Sequence, residues 1–360
     1  MHTTPLNSWH HSHHGRMVDF AGWEMPVQYS SIVEEHNAVR SAVGLFDISH
    51  MGRLVFRGPT GEAFLNSVLT NDTSRMKAGD VRYSLVCDTN GGILDDVLVY
   101  RLPDRWELVV NAANREKIVD WLEHSAGFIA IEFLDRTLST GMIAVQGPKA
   151  LSLVSEITGT DLSAMKYYSA TDLAYLGTAG VVSRTGYTGE DGFELVIPSN
   201  DAERIWTTLM DKGASLGLVA AGLGCRDTLR LEAAMPLYGH ELSQSVDPLT
   251  AGLEFAVKFN KPEFIGKAAL ESIKTAGVTM ARVGLVLEGR RIAREESPVV
   301  IGGAELGKVT SGTFSPTLQR VIAMAYVPIA SAAVGTNLEV SLRGTLVPAE
   351  IVPLPFYKRP

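Results

Sequence analysis

A chain of 360 residues is too long for one ordinary hydrophobic core and suits two or three domains. With 46% hydrophobic and 20% charged residues it reads as a soluble globular protein, and no apolar run approaches the roughly 20 residues that span a membrane. A net charge of −8 argues against non-specific nucleic-acid binding. An anionic ligand would need a local basic site, for which GRRIAR (Arg290, Arg291, Arg294) and the terminal YKRP are candidates.

The N-terminal MHTTPLNSWHH carries neither a signal-peptide apolar core nor an Arg-rich transit pattern. Cys87 and Cys225 provide no disulfide framework and no cysteine-only zinc site. Both observations point to the cytoplasm. His10, His11, His13 and His14 crowd into HHSHH, but no carboxylate or cysteine stands at ligand spacing, so the stretch reads as an exposed polar loop. SIVEEHNAVRSAVG then reads as a helix. Ser31 and Glu34 form a capping box, Ile32, His36, Val39 and Val43 a stripe, and Gly44 the stop.

RLVFR (53–57) alternates as a strand does, and GPTG leads into the helix EAFLNSVL. The same strand, Gly-Pro, helix order recurs in IAVQGPKALSLVSEI (143–157), a candidate internal repeat. Between the two lies a β-meander: VRYSLVC, a DTNGG hairpin turn, ILDDVLVYR, an LPDR turn, then WELVVNA. NREKIVDWLEHS follows as a helix opened by Asn114, so residues 52–140 form an inserted αβ unit. Beyond residue 161 come strands VVSRTGY and FELVIP and helices DAERIWTTLMDKGASL and CRDTLRLEAAM. KTAGVT (274–279) reads as a linker. After it, VGLVLE, GKVTSGTF, VIAMAYV, NLEVSLR and VPAEIVPL are short strands of a small all-β domain.

Three stretches carry chemistry-bearing residues. Cys225 precedes Arg226, which favours a thiolate, but it sits on a helix with no His partner and reads as a buried hydrophobe. GYTGEDG (186–192) mimics a phosphate loop, yet it leads into a strand rather than a helix N-terminus and supports neither nucleotide nor flavin binding. It does place Tyr187 and Glu194 near one hairpin. Asp95 and Asp96 lie side by side in an otherwise apolar strand, where charge is unfavourable unless paired, exposed or functional. Neighbours on a strand face opposite ways, and both faces here carry apolar residues, so parity does not choose between them.

The stretches MVDFAGWEMPVQY, GLFDISHMG, NGGILDDVLVY, VVNAAN, SRTGYTGEDGFEL, GLGCRDTLRLEAAMPLYGHEL and TSGTFSPTL together resemble the aminomethyltransferase (T-protein) family of the glycine cleavage system, from Thr4 to Arg359. The resemblance implies an α+β fold: a three-domain cloverleaf around a central folate site, with a C-terminal small all-β, barrel-like domain. The expected partition is 1–51 with 141–275, then 52–140 inserted, then 280–360. The implied reaction moves a methylene group from the aminomethyl-lipoyl arm of H-protein to tetrahydrofolate and releases ammonia.

Tetrahydrofolate is then a co-substrate, with no metal, flavin or nicotinamide nucleotide. The lipoylated H-protein is a transient partner, nucleic acid and membrane are not partners, and the chain is a monomer. Asp96 takes the position of the catalytic carboxylate, leaving Asp95 a structural role on the opposite face. Met51, Tyr83, Asn111 and Tyr187 take folate-lining positions, Glu194 and Arg226 match the pair that fixes the pterin, and Tyr357 matches a C-terminal contact. A folate-dependent demethylase of a small molecule is the alternative on the same fold. Non-enzymatic relatives carry a Lys-Gly-Cys-Tyr-x-Gly-Gln signature that is absent here.

Overall fold

A computed structural model describes residues 1–127 and 131–360, with the backbone alone for Glu132. The chain divides into two compact units, Met1–Ser84 with Asp96–Arg226, and Leu85–Asp95 with Asp227–Pro360. Among the described residues no helix is long and apolar enough to cross a membrane.

The first unit centres on a six-stranded sheet in the order Ser169–Tyr175, Thr178–Arg184, Gly192–Pro198, Thr140–Gln146, Val43–Asp47, Leu218–Ala220. Its pairs are antiparallel except the last, where Leu218 lies beside Val43 in parallel register. Helix Ala202–Gly213 buries Ala202, Ile205, Trp206 and Leu209, the 3–4 spacing of one helical face. These side chains join Leu45, Ile143, Val145, Leu153 and Phe193 in a continuous apolar core. A five-stranded sheet runs in the order Val81–Cys87, Ile93–Arg101, Trp106–Val110, Gly52–Arg57, Glu132–Asp135. The two strand–Gly-Pro–helix segments are both present, and Gly58 and Gly147 each leave their strand at positive φ, 81° and 134°.

In the second unit, strands Met280–Leu287, Arg320–Pro328, Ala304–Ser315, Pro298–Ile301, Asn337–Leu342 and Thr345–Val352 close into a barrel. Period-two alternation builds it. Val321, Ala323, Ala325 and Val327 fill the barrel core, while Ile322 and Met324 pack outward against Leu231.

Four local expectations change. HHSHH is not an exposed loop: Asn7–Ser12 is helical and His10 is fully buried, its Nε2 at 2.9 Å from Asp47 and its Nδ1 at 2.8 Å from the Tyr29 hydroxyl. The capped helix ends at Ser41, and Val43 and Gly44 already belong to the next strand. Gly44 is needed there because a Cβ would stand 2.4 Å from Val39 Cγ2. Asn114 precedes helix Arg115–Ala126 without capping it through its side chain. KTAGVT is only partly a linker, since Lys274–Ala276 complete helix Lys267–Ala276.

Candidate active site

Strand Ile93–Arg101 separates the adjacent carboxylates by its pleat. Asp95 is fully buried, as are Val97 and Val99, whereas Asp96 and Leu98 are half-buried on the more open face. Asp96 is held from two sides. The Tyr83 hydroxyl donates to Oδ2 at 3.1 Å, and the Asn111 amide donates to Oδ1 at 2.7 Å and to the Asp96 carbonyl at 3.1 Å. Asn111 opens a short 3₁₀ turn, Ala112–Asn114, yet its side chain makes no cap, because the amide is turned to Asp96 instead. Both carboxylate oxygens therefore accept from neutral donors, an arrangement that fixes their direction.

Glu194 has a different setting. It lies on strand Gly192–Pro198 with 5% exposure, and the Thr185 hydroxyl donates to its Oε2 at 2.5 Å. Burial raises its carboxyl above the usual range, while the Thr185 bond and the charge of Arg226 pull back. The Arg226 guanidinium stacks 4.7 Å above the Tyr187 ring. Cation, aromatic face and buried carboxylate are thus gathered in the same unit.

The GYTGEDG loop owes its glycines to a side chain. A Cβ on Gly186 would come within 2.0 Å of Gln146 Oε1, and one on Gly192 within 2.4 Å of Gln146 Nε2. That glutamine donates to the Thr185 carbonyl at 3.0 Å and accepts from the Thr188 hydroxyl at 2.9 Å. Arg40 adds bonds to the Thr188 carbonyl at 2.8 Å and to Glu190 at 2.9 Å. The loop is a fastened platform for Tyr187 and Thr185, which explains why a phosphate-loop reading fails.

Met51 is half-buried at the end of a tight segment, its N–H donating to the Ile48 carbonyl at 3.1 Å and its carbonyl accepting from Arg53 at 2.6 Å. Tyr357 belongs to the second unit, where its N–H donates to the Glu232 carbonyl at 2.8 Å. Glu232 in turn accepts from the hydroxyls of Ser315 and Thr317, and Arg230 bonds Glu241 at 2.8 Å and Ser311 at 2.8 Å. Those contacts account for the DTLRLEAAMPLYGHEL part of the long GLGCRDTLRLEAAMPLYGHEL stretch and for TSGTFSPTL as scaffolding within that unit. Burial pushes the Cys225 thiol far up, which removes it as a nucleophile.

Three residues of the first unit escaped sequence reasoning. Tyr100 is buried, and burial followed by the Glu194 charge raises its pKa, while Ser183 and Thr185 pull it back. Tyr168 adopts φ 62°, uncommon for a bulky residue, and its phenol is pushed up by burial, Tyr167, Glu194 and Asp96. It therefore feels both carboxylates. The third is His50, buried beside Met51. For Tyr100 the only sequence signal was a phenol on a buried strand. Tyr168 and His50 had none.

A mixed α/β unit bearing two carboxylates in contrasting settings, with a closed six-stranded barrel in the other unit, defines the class as an α+β protein. The family model described as "GCVT N-terminal domain" matches residues 6–261, and that described as "Glycine cleavage T-protein C-terminal barrel domain" matches 281–358. An aminomethyltransferase of Symbiobacterium thermophilum is 47% identical, over 99% of this chain and 97% of its own. One of Streptomyces avermitilis is 49% identical over the same shares. The crystal structure of glycine cleavage system aminomethyltransferase T from Bartonella henselae superposes with a TM-score of 0.93 at 33% identity, covering 99% of this chain and 98% of that one. The chain belongs to the glycine cleavage T-protein family, and with it to the aminomethyltransferases.

Proposed function

We propose that the chain transfers the one-carbon unit of an aminomethyl group, carried on the lipoyl arm of H-protein, to tetrahydrofolate with release of ammonia. The observation that carries this reading is the half-buried Asp96 carboxylate, oriented by Tyr83 and Asn111 in the same unit as the buried Glu194. Tetrahydrofolate supplies the nitrogens that receive the one-carbon unit. The residues present suit it. Glu194 offers a carboxylate for the paired N–H donors of a pterin edge, and Tyr187 an aromatic face already stacked by Arg226. Met51, Tyr83 and Asn111 complete the proposed lining within this unit.

Asp96 acts where charge develops. As ammonia leaves the donor, its carbon becomes cationic, and a fixed carboxylate lowers the energy of that state. The same oxygens can take or return a proton. The protein works in this reading as a cytoplasmic monomer that meets H-protein transiently. Its proposed folding parts are 1–51 with 141–275, 52–140 inserted, and 280–360. Incubation with aminomethyl-lipoylated H-protein and tetrahydrofolate should yield methylenetetrahydrofolate and ammonia in equal amounts. Equal turnover of a free small-molecule donor with H-protein left out would contradict the reading.

A further inference from the structure

Glu35 is fully buried, and among the described residues its hydrogen-bond partners are backbone N–H groups of two distant segments. Oε1 accepts from Tyr29 at 2.6 Å and from Ser30 at 3.1 Å, closing the turn that enters helix Ile32–Ser41. Oε2 accepts the Gly222 N–H at 2.9 Å, 187 positions away. Gly222 stands at the start of helix Leu223–Glu232, and its carbonyl accepts the Arg226 N–H at 3.1 Å. A helix start leaves its first N–H groups without partners inside the helix, so the carboxylate satisfies one of them and fixes where the helix begins. The approach is close. A Cβ on Gly222 would stand 2.4 Å from the Val27 carbonyl, and one on Gly224 would stand 2.6 Å from Ile32.

The far end of helix Ile32–Ser41 holds the partner of Arg226. Arg40 donates to the Thr188 carbonyl at 2.8 Å and to Glu190 at 2.9 Å, which fastens the loop just after Tyr187. The Arg226 guanidinium lies 4.7 Å from the centre of the Tyr187 ring. Every residue in this set of contacts belongs to the first unit. One helix, capped by Ser31, therefore ties down the backbone of both members of the pair. Arg226 is reached through Glu35 and Gly222, and Tyr187 through Arg40 and Thr188. Five residues of α-helix set the two fastenings about 7.5 Å apart along the axis. Attraction between a cation and an aromatic face needs the charge within about 6 Å of the ring centre, so a small shift of either fastening weakens it.

We propose that Glu35 and Arg40 are positioning residues for ligand binding, which make helix Ile32–Ser41 the spacer that sets Arg226 over Tyr187. The assignment rests on the folate reading above, in which that pair meets the pterin.

The test uses Glu35→Gln and Arg40→Met, each alone and each combined with Arg226→Met. The glutamine amide keeps one oxygen for Tyr29 and Ser30 and turns its NH2 on the Gly222 N–H, which severs the link to Arg226. Tetrahydrofolate affinity is measured by calorimetry, melting temperature alongside, and kcat and KM for folate with aminomethyl-lipoylated H-protein. Each single variant should bind tetrahydrofolate about three- to tenfold more weakly, with KM raised by a similar factor and kcat kept. Once Arg226→Met has removed the pair, adding either change should alter affinity by less than about twofold, while its melting shift stays as large as before. That split separates positioning from general loosening of the fold. Equal losses of affinity with and without Arg226 overturn the proposal, as does wild-type affinity in both single variants. A wild-type chain that does not bind tetrahydrofolate overturns the folate reading itself, a result distinct from either.

Discussion

Asp96 and Glu194 are carboxylates of the same unit in opposite circumstances. Asp96 is half-buried and steered by two neutral donors, whereas Glu194 is 5% exposed, bonded to Thr185 and close to a cation. A charge meant to respond to a developing cation must be accessible and fixed in direction, which Tyr83 and Asn111 provide. A charge meant to read N–H donors gains from a dry pocket, where each bond is stronger, and suffers there when empty. The contrast teaches a division of labour: Asp96 for the transfer, Glu194 for the ligand.

The sharpest way to break that division is to neutralise Asp96. Asp96→Asn keeps shape and removes charge, so single-turnover transfer should slow about 100- to 1,000-fold with folate affinity little changed. Glu194→Gln should do the reverse, weakening folate binding by about 1.5–3 kcal/mol in calorimetry. It also carries a stability signature. Because the folded Glu194 carboxyl holds its proton above the ordinary carboxylate range, the native state binds more protons than the unfolded chain through that interval. Its unfavourable contribution therefore grows as pH rises from acid to neutral. Glu194→Gln should match the wild type in acid and melt higher at neutral pH, and an unchanged gap across the range would contradict the burial argument.

Smaller effects sharpen the picture further. Arg226→Lys keeps charge but loses the guanidinium over Tyr187, and should cost about 1–2 kcal/mol of folate affinity by titration. Asp95→Asn changes a fully buried group on the other strand face, so denaturant unfolding should show a loss of about 0.5–3 kcal/mol with turnover preserved.

How far these sites were legible in the sequence depended on the range of the contacts. The Ser31 cap is read within one turn, and its hydroxyl does accept the Glu34 N–H. The alternation of ILDDVLVYR is local too, and the structure resolves its parity by leaving Asp96 and Leu98 on the open face. HHSHH was misread because the partner of His10 is Asp47, a residue 37 positions away. GYTGEDG could be rejected as a phosphate loop, but its reason, the Gln146 side chain between two glycines, lies on a strand some forty residues earlier. Tyr168 and His50 depend on a backbone angle and an unpaired buried atom, which no spacing encodes.

The most direct test is a single-turnover transfer from aminomethyl-lipoyl H-protein, run as a tetrahydrofolate titration on Asp96→Asn and Glu194→Gln side by side. Saturating folate should bring Glu194→Gln to within about tenfold of the wild-type rate and leave Asp96→Asn about 100-fold or more below it. Rescue of Asp96→Asn by folate, or a Glu194→Gln variant that stays slow while Asp96→Asn turns over normally, would contradict the division of labour between the two carboxylates.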